Sequence, residues 1–71
     1  MQEGNAIKFF LHKTGVTQKQ LAEFMGISCQ YLNQMLKGER KISKKRMQQV
    51  CEALQVEQSD IERIREIMEL V

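Results

Sequence analysis

The chain has 71 residues, with eleven Lys and Arg against nine Asp and Glu, two cysteines and no proline. This length makes one small domain, and two cysteines are too few for a disulfide framework, so we expect reduced thiols. The absence of a long apolar run and of a secretory signal argues against membrane insertion and secretion. Helix-forming residues dominate and strand-like alternation is absent, which predicts an all-α fold of five helices.

The first helix is predicted from about Asn5 to Thr14. Ile7, Phe10 and Leu11 recur on one face at helical spacing, and Gly15 provides a C-terminal stop. We therefore expect these three side chains in the core.

The second helix is predicted over Gln18–Met25. Thr17 and Gln20 have the spacing of a capping box at its start, and Gly26 follows as a left-handed stop. Its predicted buried residues are Leu21 and Ala22, together with Phe24 or Met25.

The third helix is predicted over Cys29–Leu36, between an N-cap at Ser28 and the glycine at Gly38. On a helical wheel Leu32, Met35 and Leu36 point towards the other helices. The turn around Gly26 is short, so helices two and three have helix-turn-helix geometry.

The last two helices complete the predicted core. Ser43 caps the fourth helix, whose buried face is predicted to contain Met47, Val50, Cys51 and Leu54. The fifth helix is predicted to open on a capping box formed by Ser59 and Glu62, and to run to the C-terminus. Residues 1–71 thus form one domain, with 57–71 as its C-terminal helix.

At these positions the sequence resembles the XRE-type helix-turn-helix family of phage repressors and Cro proteins. The matching residues are Gln18, Leu21-Ala22, Gly26-Ile27-Ser28, Leu32, Gly38, Arg40-Lys41 and Val50 to Leu54, so the resemblance covers roughly residues 5 to 56. Two departures stand out. Leu11 and Leu36 occupy positions where many relatives carry an Arg–Glu pair, and we expect the two leucines to pack together. Gln55 occupies a helix exit where relatives often have Gly.

The resemblance implies a sequence-specific DNA-binding transcriptional regulator, a repressor that binds a palindromic operator as a homodimer. It does not separate phage repressors from restriction-modification controllers or antitoxins. A bacterial or phage-encoded cytoplasmic protein acting at the nucleoid is expected. We find no catalytic constellation and no metal site, and expect no cofactor, small-molecule ligand or membrane partner.

Polar side chains on the third helix are the candidate base readers. An amide both donates and accepts, so it can bridge the N6 and N7 edge of adenine. The predicted base-contacting residues are Cys29, Gln30, Asn33 and Gln34. By resemblance, three of these positions, Cys29, Gln30 and Gln34, touch bases in phage repressors. The alternative is an ordinary solvated helix face.

Six of the eleven basic residues lie between Lys37 and Arg46, directly after the third helix. Such a cluster supplies a local field that attracts phosphates. The predicted contacts to the DNA backbone are Thr17, Gln18, Ser28, Tyr31, Lys37, Arg40, Lys41, Lys44 and Lys45.

The fifth helix has more apolar surface than one core contact requires. The predicted dimer interface comprises Ile64, Ile67, Met68, Leu70 and Val71. The competing interpretation is a monomer in which the fifth helix packs on the first and Phe9 covers the remainder. The alternative function is a protein-interaction module on the same fold, for example a toxin-binding antitoxin.

Overall fold

Five helices and no strand occupy residues 3–70, the part of the chain that this computed structural model describes. They are α1 (Glu3–Thr14), α2 (Gln18–Met25), α3 (Cys29–Leu36), α4 (Lys44–Leu54) and α5 (Gln58–Glu69). The predicted all-α architecture is confirmed, and the bounds of α2 and α3 are those predicted.

Hydroxyl side chains cap the N-termini of α2, α3 and α4. Thr17 Oγ1 accepts the backbone N–H of Gln20 at 3.1 Å, and Gln20 Oε1 accepts the N–H of Thr17 at 3.0 Å. Ser28 and Ser43 each accept a backbone N–H three residues further on. These bonds satisfy donors that a helix leaves without internal partners, which fixes where the three helices begin.

Left-handed residues end α2 and α4. Gly26 has φ 70°, and the following N–H of Ile27 donates to the carbonyl of Ala22 at 3.0 Å. Gln55 takes the same conformation after α4, with φ 57°. A side chain in this conformation costs roughly 1 kcal/mol relative to Gly. The fold tolerates this cost at Gln55.

Within the described residues, α1 includes Glu3 and Gly4, ahead of the predicted start at Asn5. Gly4 therefore lies inside the helix, where it is buried. A Cβ built on Gly4 would lie 2.0 Å from the carbonyl oxygen of Leu36. The glycine is a poor helix former, but it allows the end of α3 to approach the α1 backbone.

The predicted capping box of Ser59 and Glu62 is wrong. The N-cap of α5 is Glu57, two residues before the predicted Ser59, and the helix begins at Gln58. Asp60 supplies the cap, because its carboxylate accepts the N–H of Glu57 at 3.1 Å. Only three residues, 55–57, separate the end of α4 from the start of α5.

The core lies between all five helices. Leu11 and Leu36 are both buried in it, consistent with an apolar replacement of the relatives' charged pair. Cys51 is only partly buried and packs against the edge of the core, whereas the sequence predicted a core residue. The buried apolar side chains are Ala6, Ile7, Phe10, Leu11, Leu21, Ala22, Met25, Leu32, Met35, Leu36, Met47, Val50, Leu54 and Ile61.

The helix α5 packs mainly against α1. Ile61 is fully buried in this contact region, and Arg65 Nη1 lies 3.6 Å from the carboxylate of Glu3. Ile67 and Leu70 remain 50% and 86% exposed. No helix within residues 3–70 is long and apolar enough to cross a membrane.

Candidate nucleic-acid interface

The helix α3 has one buried face and one polar face. Leu32, Met35 and Leu36 are no more than 1% exposed, so they fix the orientation of the helix on the core. Of the four predicted base readers, Gln30, Asn33 and Gln34 lie on the opposite side, whereas Cys29 lies nearer the buried face, three residues before Leu32. Two of them, Cys29 and Gln30, are exposed, whereas the other two, Asn33 and Gln34, are half-buried.

Gln34 is not a free side chain. Its Oε1 accepts a hydrogen bond from Arg40 Nε at 2.6 Å. The sequence predicted Gln34 as part of an exposed amide stripe, and Arg40 as a separate contact to the DNA backbone. The structure brings the two side chains together.

Tyr31, at the edge of the polar face, lies close to two arginine side chains. The guanidinium carbon of Arg40 is 4.5 Å from the centre of the Tyr31 ring, and that of Arg46 is 5.8 Å away. Both distances fit cation–π contact. The ring is partly buried and packs against the core. Tyr31 therefore links the polar face of α3 to the domain interior.

Arg46 joins the helix-turn-helix to α4. Its Nη1 donates to the backbone carbonyl of Met25 at 3.1 Å and to Gln49 Oε1 at 3.0 Å. The Met25 carbonyl belongs to the last turn of α2, where such groups lack helical partners and attract cations. Sequence analysis counted Arg46 only in the basic cluster and missed this role, because the contact spans 21 residues.

The N-terminus of α2 lies beside a groove. The capping box uses the N–H groups of Thr17 and Gln20, which leaves those of Gln18 and Lys19 as donors that the helix does not itself bond. Gln18 is half-buried and lines the groove together with Lys8, Leu11, His12, Gly15 and Val16. Amide donors beside a lysine favour an anionic group.

The predicted phosphate contacts that follow α3 are all exposed. Lys37 and Arg40 lie before the N-terminus of α4, and Lys41, Lys44 and Lys45 continue the cluster into its first turn. Thr17 and Ser28, also predicted to contact the backbone, are exposed N-cap residues of α2 and α3. The positive charge thus follows α3 directly along the chain.

The two cysteines have different environments. Cys29 is exposed at the first position of α3, whereas Cys51 is partly buried in α4. Burial raises the pKa of the Cys51 thiol, and the negative charge of Asp60 raises it further. Within residues 3–70 no group of three or more His, Cys, Asp and Glu side chains is arranged to hold a metal ion.

Comparison with known families agrees with this geometry. The family model HTH_3, described as helix-turn-helix, matches residues 8–58, which is most of the chain and includes α2, α3 and α4. No curated protein and no solved structure matches the chain.

Proposed function

This chain belongs to the XRE-type, Cro/CI-like helix-turn-helix family of DNA-binding transcription regulators, and we propose that it is a repressor that binds a roughly palindromic operator as a homodimer. In this proposal α3 enters the major groove, where each base pair presents a distinct set of donors and acceptors.

The observation that carries the proposal is the two-sided character of α3. Its apolar side chains are buried, so its polar side must face outwards, and the exposed basic residues follow it at once. Gln30 is the most accessible amide on that side and is the first proposed reader of a base edge. Cys29 would pack against a thymine methyl group, since a thiol is a weak hydrogen-bonding partner.

The proposed phosphate contacts surround this face. Gln18 would bind one phosphate through its backbone N–H and its side-chain amide. Lys37, Lys41, Lys44 and Lys45 would contact the flanking phosphates. Contacts of this kind fix register and orientation but carry no sequence information directly.

The dimer is proposed through α5. Ile67 and Leu70 are exposed apolar residues on a helix whose Ile61 is already buried against the domain. Ile64 and Met68, both half-buried, would border the same interface, whereas Val71 lies outside the described residues. A symmetric pair of domains would present two copies of α3 about one DNA turn apart, roughly 34 Å.

Selection from random duplexes, followed by footprinting of the enriched sequence, tests this proposal. We expect an enriched operator with two related half-sites whose centres lie about 10 base pairs, or a multiple of that spacing, apart. Failure to enrich any sequence would contradict operator binding and favour the protein-interaction module. A single enriched half-site would contradict only the homodimer.

A further inference from the structure

The chain reverses direction immediately after α3. Gly38 is left-handed, with φ 83°, and this conformation allows two backbone bonds that close the helix end. The N–H of Gly38 donates to Met35 O at 3.1 Å, and that of Glu39 donates to Gln34 O at 2.9 Å. This pattern is a Schellman motif. The next backbone N–H, that of Arg40, also donates to Gln34 O at 3.3 Å. This bond holds the backbone of Arg40 close to Gln34.

Two contacts then hold the Arg40 guanidinium. Its Nε donates to Gln34 Oε1 at 2.6 Å, and its central carbon lies 4.5 Å from the centre of the Tyr31 ring. A hydrogen bond from a charged donor is roughly twice as strong as a neutral one. Because arginine has donors but no acceptor, the atom of Gln34 that it meets must be the amide oxygen. The amide NH2 group therefore points away from Arg40.

We propose that Arg40 is a positioning residue that presents Gln34 to the DNA as a hydrogen-bond donor. This inference rests on the proposed function. One lone pair of Gln34 Oε1 is occupied, while both N–H bonds of its amide remain available. Gln34 would therefore favour a base edge that offers acceptors, such as N7 and O6 of guanine or N7 of adenine. It would disfavour the N4 donor of cytosine.

The same arginine has donors left for the DNA backbone. Of its five N–H groups, the one on Nε is used by Gln34, and four remain on the two Nη atoms. Such a fork matches the oxygens of a phosphate. Arg40 thus couples the position of the DNA backbone to the orientation of the Gln34 side chain.

A double-mutant cycle on the selected operator tests this role. Binding is measured for wild type, Arg40→Ala, Gln34→Ala and the double variant, with all four base pairs tried at each operator position. We expect Arg40→Ala and Gln34→Ala to lower the preference for the favoured base pair at the same operator position, each by about fivefold or more. About fivefold is the lower end of the discrimination that one good contact to a base provides. The double variant should lose no further preference there.

Lys41→Ala is the matched control, because Lys41 is the adjacent exposed cation. It should weaken binding to every sequence and leave all base preferences unchanged. Arg40→Ala behaving in the same way would overturn the positioning role while leaving the proposed function intact. A wild type without any base preference would overturn both.

A measurement on the free protein provides a second test. The Arg40 Nε–H should exchange with solvent more slowly than that of Arg63, an exposed arginine on α5. Gln34→Ala should abolish the difference, because it removes the acceptor. Equal exchange rates for the Nε–H groups of Arg40 and Arg63 in the wild type would contradict the proposal that Arg40 holds the Gln34 side chain in place before DNA binds. This conclusion would hold whatever the DNA measurements give.

Discussion

Cys29 and Cys51 make a residue-scale prediction because their thiols differ in exposure and burial raises the pKa of Cys51. The thiolate is the reactive form, and the raised pKa of Cys51 lowers its thiolate fraction at a given pH. We expect iodoacetamide at pH 8 to alkylate Cys29 several times faster than Cys51, with mass spectrometry following each site. Bound operator should slow the reaction at Cys29 alone. Equal alkylation rates at the two cysteines would contradict the environments described for them. A lack of protection of Cys29 by DNA would contradict the proposed reading face.

The exposure of Gln30 followed from the helical wheel, but the contacts of Gln34 and Arg46 did not. A wheel reports which side of a helix faces the core, because that depends only on the period of 3.6 residues. The Arg46 bond to Met25 joins the start of α4 to the end of α2 across 21 positions, and a long side chain has many rotamers. Such contacts leave no periodic signal in the sequence.

At the scale of elements, the ends of α2 and α3 could be predicted because local chemistry sets them. Thr17, Ser28 and Gly26 satisfy backbone groups within a few residues of themselves. The start of α1 could not be predicted in this way. A glycine is tolerated in this helix because its missing Cβ leaves room for Leu36, which is 32 positions away in the sequence and adjacent only in the fold.

Gly4→Ala tests this close approach. On helix propensity alone, Ala would stabilise the domain by about 0.5–1 kcal/mol. The added Cβ would instead meet a backbone oxygen at 2.0 Å, so we expect a loss of about 1–3 kcal/mol, as for other overpacked sites. Urea unfolding monitored by circular dichroism measures the difference.

Gly15→Ala is a useful comparison for Gly4→Ala. Gly15 has φ 79° but open space around its Cβ position, so that variant should lose only the conformational term, about 1–2 kcal/mol. A stabilised Gly4→Ala variant would show that α1 and α3 do not approach each other in this way.

The basic segment after α3 makes a second prediction at the scale of elements. Lys41→Ala and Lys44→Ala should weaken binding to operator and random DNA alike. Each should reduce the slope of log affinity against log salt by about one unit, because one fewer phosphate is neutralised. Fluorescence anisotropy at several salt concentrations gives the slope. An unchanged slope in both variants would show that these lysines are only solvated.

At the scale of the whole molecule, the exposed part of α5 predicts a dimer. Wild type should sediment as a dimer at high micromolar concentration. The double variant Ile67→Asp, Leu70→Asp should sediment as a folded monomer, since two carboxylates cannot be buried without large cost. Phe24→Asp is the control, because Phe24 is a 56% exposed apolar residue on α2, outside the proposed interface. A monomeric wild type would contradict the proposed dimer.

The central claim is that the outward face of α3 reads a DNA sequence, and Gln30 tests it most directly. The measurement is the ratio of affinities for selected operator and random DNA at one salt concentration, in wild type, Gln30→Ala and the α5 control Gln58→Ala. We predict that Gln30→Ala loses roughly 1–3 kcal/mol on the operator and almost nothing on random DNA, while Gln58→Ala matches wild type. Equal weakening of Gln30→Ala on both DNAs, or no weakening at all, would contradict the claim.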